Sequence, residues 1–341
     1  MKRYLVIGAM ALAACHSPNK STDQKSTVEK KYAEKGKIEV MDPAMLKYVA
    51  QDTKVEILAE GFKWSEGPLW IENGKYLLFS DIPPNKVMKW SEKDGLTEYL
   101  HPAGYTGTVP REGEPGSNGL ILDNQGRLVM CHHGDRRMAR MEAPLDKPVS
   151  KFVTLADKYE GKRFNSPNDA VYHSSGDLYF TDPPYGLVKN MDDPAKELSY
   201  QGVFRAKKDG TVELLYKELS RPNGIAFSRD EKKLYVANSD VNRIWMVFDV
   251  RADGGIENGK IFYDASSIDR PGSPDGMKVH SSGNIFTTGP GGVLVLSPEG
   301  KLLGRIDVAD VCSNVAFDTK EEYLYITANS RLVRVKMVNG Q

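Results

Sequence analysis

The chain repeats itself at a fixed interval, and that limits its folds more than any other feature. The stretch "RPNGIAFS" at residues 221–228 has counterparts in "GSNGLILD", "SPNDAVYH", "SPDGMKVH" and "CSNVAFD". Aligning them gives six start residues: Glu66, Asn118, Asn168, Asn223, Asp275 and Asn314, with intervals of 52, 50, 55, 52 and 39 residues. After each start comes a short apolar or alternating run, a turn, and a second run: "YLLFS", "RLVMC", "DLYFT", "KLYVA", "NIFTT" and "YLYIT". Runs this short and rich in Leu, Tyr, Phe, Val and Ile read as strands, and paired by a tight turn they read as hairpins. Further strand candidates, "KVMKWS", "GVFRAK", "RIWMVFD" and "GVLVLS", fill the repeats. Roughly four strands in roughly fifty residues, repeated radially, predict an all-β fold, a six-bladed β-propeller. Helical periodicity is nearly absent, apart from a short turn expected near "DPAMLKYVA". The short last interval predicts a sixth blade closed by an N-terminal strand around "KVEILAE".

An Asn-Gly pair normally marks a turn, yet here it opens a strand. In a propeller the innermost strand of each blade lines the central channel, so the six starts should gather at one end of it. The hairpin brings the chain back to that end at Asp81, His132 or His133, Asp182, Asn238, Thr288 and Asn329. Turn geometry alone explains Asn-Gly but not Glu66 and Asp275 at the same repeat position. Glu66, Asn168, Asn223 and Asp275 offer carboxylate and amide oxygens, a hard ligand set that suits one divalent cation, first of all Ca²⁺, with Mg²⁺, Mn²⁺ or Zn²⁺ as alternatives.

These motifs carry a resemblance. "EGPLW" at Glu66, "SPND" at Asn168, "PNGIAFS" at Asn223 and "PDGM" at Asp275 resemble the metal-site motifs of the senescence-marker-protein/gluconolactonase (regucalcin-like) family. "CHHGDRR" and "FTDPPYGL" are similar to bacterial members, and the resemblance spans roughly residues 55–336. It implies a six-bladed propeller with a divalent metal at the channel mouth, held here by Glu66, Asn168, Asn223 and Asp275. It also implies hydrolysis of a lactone, most often a sugar lactone; other esters or organophosphates are the alternatives within the family. A departure from the pattern is His132, where an acidic residue is expected. A ligand-binding propeller without chemistry is the competing class of function, because function lives in the site and not in the fold.

The chemistry asked of such a site is polarisation of a carbonyl and acceptance of a proton. Asp275 is the first candidate base and His133 the second, with Asp182 as a further choice. Asn118, Asp182, Tyr185 and Arg137 are candidate substrate contacts; for Arg136 and Arg137 a salt bridge at the surface or between blades is the other reading. The long segments 101–116 and 183–198 flank the predicted mouth and read as lids.

The first residues read as an export signal. "MKRYLVIGAMALAAC" has Lys2 and Arg3, an apolar run too short to span a bilayer, and small residues ending at Cys15. "LAAC" resembles the lipobox of bacterial lipoproteins. The expected plan is therefore a signal peptide over 1–14, lipidated Cys15 with a flexible polar tether over 15–40, and the propeller over 41–341. This places the protein in a bacterial cell envelope, touching the membrane only through the anchor. Lys plus Arg equals Asp plus Glu at 46 each, which gives no broad electrostatic reason to bind nucleic acid. A monomer or weak dimer is expected. Cys131 and Cys312, far apart and without metal-site spacing, read as buried free thiols.

Overall fold

Each repeat makes one sheet, because both faces of its strands are apolar and each face meets a neighbouring blade. In the computed structural model, which describes residues 1–2 and 32–338, six sheets of four or five antiparallel strands form the blades. Blade 1 runs outward through Ser65–Ile71, Tyr76–Asp81, Lys86–Ser91 and Gly95–Leu100. Blades 2, 3 and 4 follow the same order from inner strands Ser117–Leu122, Ala170–Tyr172 and Pro222–Phe227. Blades 5 and 6 begin at Met277–Val279 and Asn314–Phe317. Among the described residues the only helical turns are three short 3₁₀ segments. One is Pro43–Lys47, the turn expected near "DPAMLKYVA", where the Asp42 side chain accepts from the Ala44 N–H at 2.8 Å.

Six apolar clusters separate the six blades. Leu77 packs toward blade 6 with Tyr325 and Leu332, whereas Leu78 packs toward blade 2 with Leu128 and Met130. Tyr179 and Phe180 divide in the same way between blades 4 and 2. Successive side chains of a strand point to opposite faces, so a strand buried on both sides reads as a continuous apolar run instead of an alternating one.

The ring closes as the short last interval predicted. Val55–Glu60 is the fourth strand of blade 6, paired with Arg331–Lys336. Arg334 donates to Glu56 at 2.6 Å across this seam and also pairs with Glu92 of blade 1. The expected tether over 15–40 differs at its end. Lys37–Val40 adds a fifth strand to blade 5 and Ala33–Glu34 a fifth to blade 6, so ordered chain begins before residue 41. The reason is an edge that can be paired: Ile38 is buried against Ile306, and Glu39 bridges Arg270 and Arg305, each at 2.9 Å. Burial opposes the charge on Glu39, but hydrogen bonds from Lys37, Arg270 and Arg305 outweigh it and bring the carboxyl down to about 2. The predicted signal peptide, Cys15 and most of the tether lie outside the described residues.

This closure makes a prediction. A chain starting at residue 41 should still form six blades but melt lower, because buried Arg305 loses its partner; breaking a buried pair costs roughly 3–5 kcal/mol. Glu39→Ala in the full chain should reproduce most of that loss in a thermal melt. Removing residues through Glu60 should prevent cooperative folding.

Candidate active site

The six inner strands approach one another so closely at one end of the channel that side chains are excluded. A Cβ on Gly67 would lie 2.2 Å from the Asn118 carbonyl oxygen, one on Gly224 2.2 Å from that of Asp275, and one on Gly276 1.9 Å from the Asn314 side chain. Glycine is needed after the start residue because the next blade occupies the space where a side chain would go. The pairing register also slips here, between Glu66 and Leu69, Ser117 and Leu120, and Pro222 and Ile225. Glu66, Asn118 and Asn223 thus sit in or beside irregular steps of the ladder, of the kind that re-aim a side chain. That answers the Asn-Gly question: the pair makes a bulge at the neck of the ring.

Hydroxyls from two second strands, and from the residue before the inner strand of blade 6, lock this neck. Ser80 Oγ donates to the Asn118 carbonyl at 2.8 Å, Thr181 Oγ1 to that of Asn223 at 2.7 Å, and Ser313 Oγ to that of Ser65 at 2.6 Å. The return residues hold the loops that precede the starts. Asp81 accepts from the Lys63 and Trp64 N–H groups at 2.9 and 3.1 Å. Asp182 accepts from Asn165 and Ser166, both at 2.7 Å, and Asn238 Oδ1 from Arg221 at 2.8 Å.

Above the neck lies a cavity of about 440 Å³ whose wall includes Glu66, Asn118, Asn168, Asn223 and Asp275. Five of the six start residues therefore converge on it. Asn223 donates its amide N–H to Ser239 Oγ at 2.9 Å, which leaves its amide oxygen for the cavity, and Ser239 Oγ in turn donates to the Pro274 carbonyl beside Asp275. Glu66 accepts from the Gly67 N–H at 2.7 Å through one oxygen. Asp275 Oδ1 and Asn118 Oδ1 are buried without a hydrogen-bond partner among the described residues.

Comparison with known proteins places this arrangement. Residues 64–330 match the family model described as SMP-30/Gluconolactonase/LRE-like region. The chain belongs to this family. It is 39% identical over 313 residues to a gluconolactonase of Zymomonas mobilis, covering 88% of this chain and 86% of that protein. A pentonolactonase of Haloferax volcanii is 26% identical over 284 residues, covering 81% and 84%. Among solved structures, a gluconolactonase from Xanthomonas campestris superposes with a TM-score of 0.78 at 30% identity, covering 90% of this chain and 98% of that one.

Within this gluconolactonase-family propeller the remaining sequence-predicted residues divide. Tyr185 lines the cavity. Its hydroxyl is pushed up to about 12, by burial first and then by the charge of Asp275. His133, Asp182 and Arg137 do not reach the wall. Asp182 is fully buried and spent on backbone N–H groups, and burial raises its carboxyl to about 7 against those bonds. Arg137 turns to Asp135 and Thr154 at 2.8 and 2.9 Å. Arg136 donates to the carbonyls of Phe164 and Ala195 and so takes the structural reading. His133 is buried behind the wall with its Nδ1 3.3 Å from Glu114. His132 packs edge-on against Phe152.

Two acids escaped sequence reasoning. Glu114, from the 101–116 segment expected to form a lid, reaches the cavity wall. Arg111 ties that segment to the 183–198 segment by donating to the carbonyls of Gly134 and Gly186. Asp169 is buried in the neck beneath the cavity, accepting from Ala170 at 2.9 Å and Asn314 at 3.4 Å. Its signal was the departure from Asn-Gly to Asn-Asp in the third repeat. Among the described residues no three His, Cys, Asp or Glu side chains converge as a metal-holding cluster; the cavity instead mixes carboxylates with amide oxygens.

The carboxyls raise one another. Burial, then the charge of Asp169 and of Glu114, lifts Glu66 to about 8; burial, then Glu66, Asp169 and Glu114, lifts Asp275 well above the carboxylate range. With folded values above unfolded ones, the folded protein retains protons that the unfolded chain releases near pH 4. With no cation bound, the protein should therefore lose stability as pH rises from about 4.5 to about 8. Glu66→Gln should flatten that decline and melt higher than the parent at pH 8 in chelator, measured by differential scanning calorimetry.

Proposed function

We propose that the protein hydrolyses a lactone, with a sugar lactone as the substrate class, at the cavity above the neck. The observation that carries this reading is the convergence of Glu66, Asn168, Asn223 and Asp275 from four blades, with a buried Asp275 oxygen left unpartnered. Kinship with the Zymomonas gluconolactonase and the Haloferax pentonolactonase supports the reaction class. Mutually repelling carboxyls beside amide oxygens form a donor set that fits a divalent cation, Ca²⁺ first, because hard oxygen ligands suit hard cations. Glu66, Asn168, Asn223 and Asp275 would hold it. Bound there, the ion supplies Lewis-acid polarisation of the lactone carbonyl.

The chain's own residues do the rest. Asp275 accepts a proton as water adds to the carbonyl carbon and returns it to the ring oxygen as the ester C–O bond breaks, giving the open hydroxy acid. The Asn223–Ser239–Pro274 hydrogen bonds hold Asp275 and Asn223 in register. Asn118 and Tyr185 fix the substrate, and the 101–116 and 183–198 segments shield it from bulk water. His133 stands behind Glu114, its Nδ1 3.3 Å from that carboxylate and without a hydrogen-bond partner among the described residues.

Lactone opening should fall to background in chelator and return with added Ca²⁺ or another divalent ion. Glu66→Gln should weaken metal affinity at least tenfold by calorimetry. Asp275→Asn should cost metal affinity and at least a hundredfold in kcat, the scale of a lost general base. His133→Ala should shift the pH profile of turnover and leave metal content unchanged. Full activity of both the Asp275 and His133 variants would place the chemistry elsewhere.

For location, the proposal is a lipid anchor at Cys15 in the cell envelope, motivated by Lys2, Arg3 and "LAAC". Cys15→Ser should move the protein from the membrane to the soluble fraction.

A further inference from the structure

Lactone opening at the carboxylate wall leaves one part of the cavity unused. Arg221 and Arg243 line it from blade 4, the blade opposite Glu66 in the six-membered ring. Neither forms an ion pair with a carboxylate among the described residues. Arg221 precedes the inner strand, and its backbone N–H is fixed by Asn238 Oδ1 at 2.8 Å. Its guanidinium carbon lies 5.8 Å from the centroid of the Tyr185 ring. Asp240, whose carboxylate feels the Arg221 charge, accepts from the Ser220 hydroxyl and the Val241 N–H instead of pairing with it. Arg243 is held through Nη1 by the carbonyls of Ile268 and Arg270 at 2.9 and 3.3 Å. It therefore presents its remaining N–H groups from a fixed position. Ser273 also lines the cavity.

Two half-buried guanidiniums with no carboxylate in salt-bridge contact leave charge at the cavity wall that a ligand anion can satisfy. Four other buried or half-buried arginines are paired: Arg205 with Asp177, Arg305 with Glu39, Arg331 with Asp310 and Arg334 with Glu56, whereas Arg111, like Arg243, donates to backbone carbonyls. A neutral sugar lactone offers only hydroxyls to that side. Planar guanidiniums bind carboxylate and phosphate oxygens with short, charge-assisted hydrogen bonds about twice as strong as neutral ones.

We infer that the substrate carries an anionic group distant from its lactone carbonyl, and that Arg221 and Arg243 bind it: the enzyme acts on an aldonolactone bearing a phosphate or a carboxylate at its far end. Tyr185 keeps Arg221 aimed into the cavity, and so acts in selectivity as a positioning residue. This inference rests on the lactonase reading and specifies its substrate.

The test compares kcat/KM for neutral glucono-1,5-lactone, 6-phosphoglucono-1,5-lactone and a glucarolactone, with metal supplied. At least one anionic lactone should exceed the neutral one by tenfold or more, and that advantage should shrink as ionic strength rises. The two anionic arms decide between phosphate and carboxylate. In Arg221→Gln and Arg243→Gln the anionic-to-neutral ratio should drop at least tenfold, and in Tyr185→Phe by less. Thermal melts check that each variant is folded. A neutral lactone opened as well as both anionic ones, or a ratio unchanged in the double arginine variant, overturns the inference.

Calorimetry separates this from failure of the lactonase reading. If no lactone is opened, glucitol 6-phosphate or gluconate should still bind at least tenfold tighter than neutral glucitol, and the arginine variants should abolish the difference. Equal binding of all three overturns the anion site on its own terms.

Discussion

The structure depends on how closely six strands can approach at one end of a channel. The approach is set by backbone against backbone: Gly67 faces the Asn118 carbonyl, and Gly224 faces that of Asp275. Hydroxyls of Ser80, Thr181 and Ser313 then bond the carbonyls of the adjoining blades. Each such bond is worth only about 1 kcal/mol net, but in a closed ring none can relax without moving its neighbours. The same carbonyls belong to Ser65, Asn118 and Asn223, which begin or precede the side chains at the cavity wall. Rigidity at the neck is thus rigidity of the site.

A second constraint follows from the first. Converging strands bring Glu66, Asp275 and Asp169 into one buried region, and the 101–116 segment adds Glu114. Burial first, and then this crowding, raises both Glu66 and Asp275, so with no cation bound the protein holds protons there. Lys278 lowers Asp169 but does not offset burial. Stability is given up at the one place where charge is concentrated, as expected where function sets the sequence. The opposite side of the cavity carries Arg221 and Arg243, neither ion-paired among the described residues, so a ligand spanning it meets an oxygen-rich side and a cationic side.

Two layers of residues surround the cavity, and they differ in role. Start residues face inward. Return residues Asp81, Asp182 and Asn238 turn away and accept N–H groups from the loops behind them. In blade 2, His132 stands in the register position that Asp81 holds in blade 1, paired with Ser117 as Asp81 is with Ser65. A ring nitrogen buried against Phe152 does not replace a carboxylate there. The chain is held instead by backbone: His133 N–H donates to Gly116 and Gly116 N–H to Ile82, at 3.1 and 3.0 Å. The departure at His132 therefore changes how a loop is anchored.

The repeat alone was enough to determine blade number, the closure by Val55–Glu60 and the convergence of Glu66, Asn118, Asn168, Asn223 and Asp275, because a period of side-chain chemistry along a chain becomes a ring when each unit must bury two faces. Sequence period could not say which way a side chain at the end of a hairpin turns, so Asp182, His133 and Arg137 were read into a cavity they do not reach. Their direction is decided by unpaired N–H groups and carboxylates in segments far along the chain. The edge strands Ala33–Glu34 and Lys37–Val40 were hidden for a similar reason. Their composition is polar, and what orders them is an open sheet edge and the Arg270 and Arg305 charges more than 200 residues away. Glu114, Arg221 and Arg243 lie outside the repeat register. Only the folded ring brings them to one wall, since loops carry no period and are placed by the strands they connect.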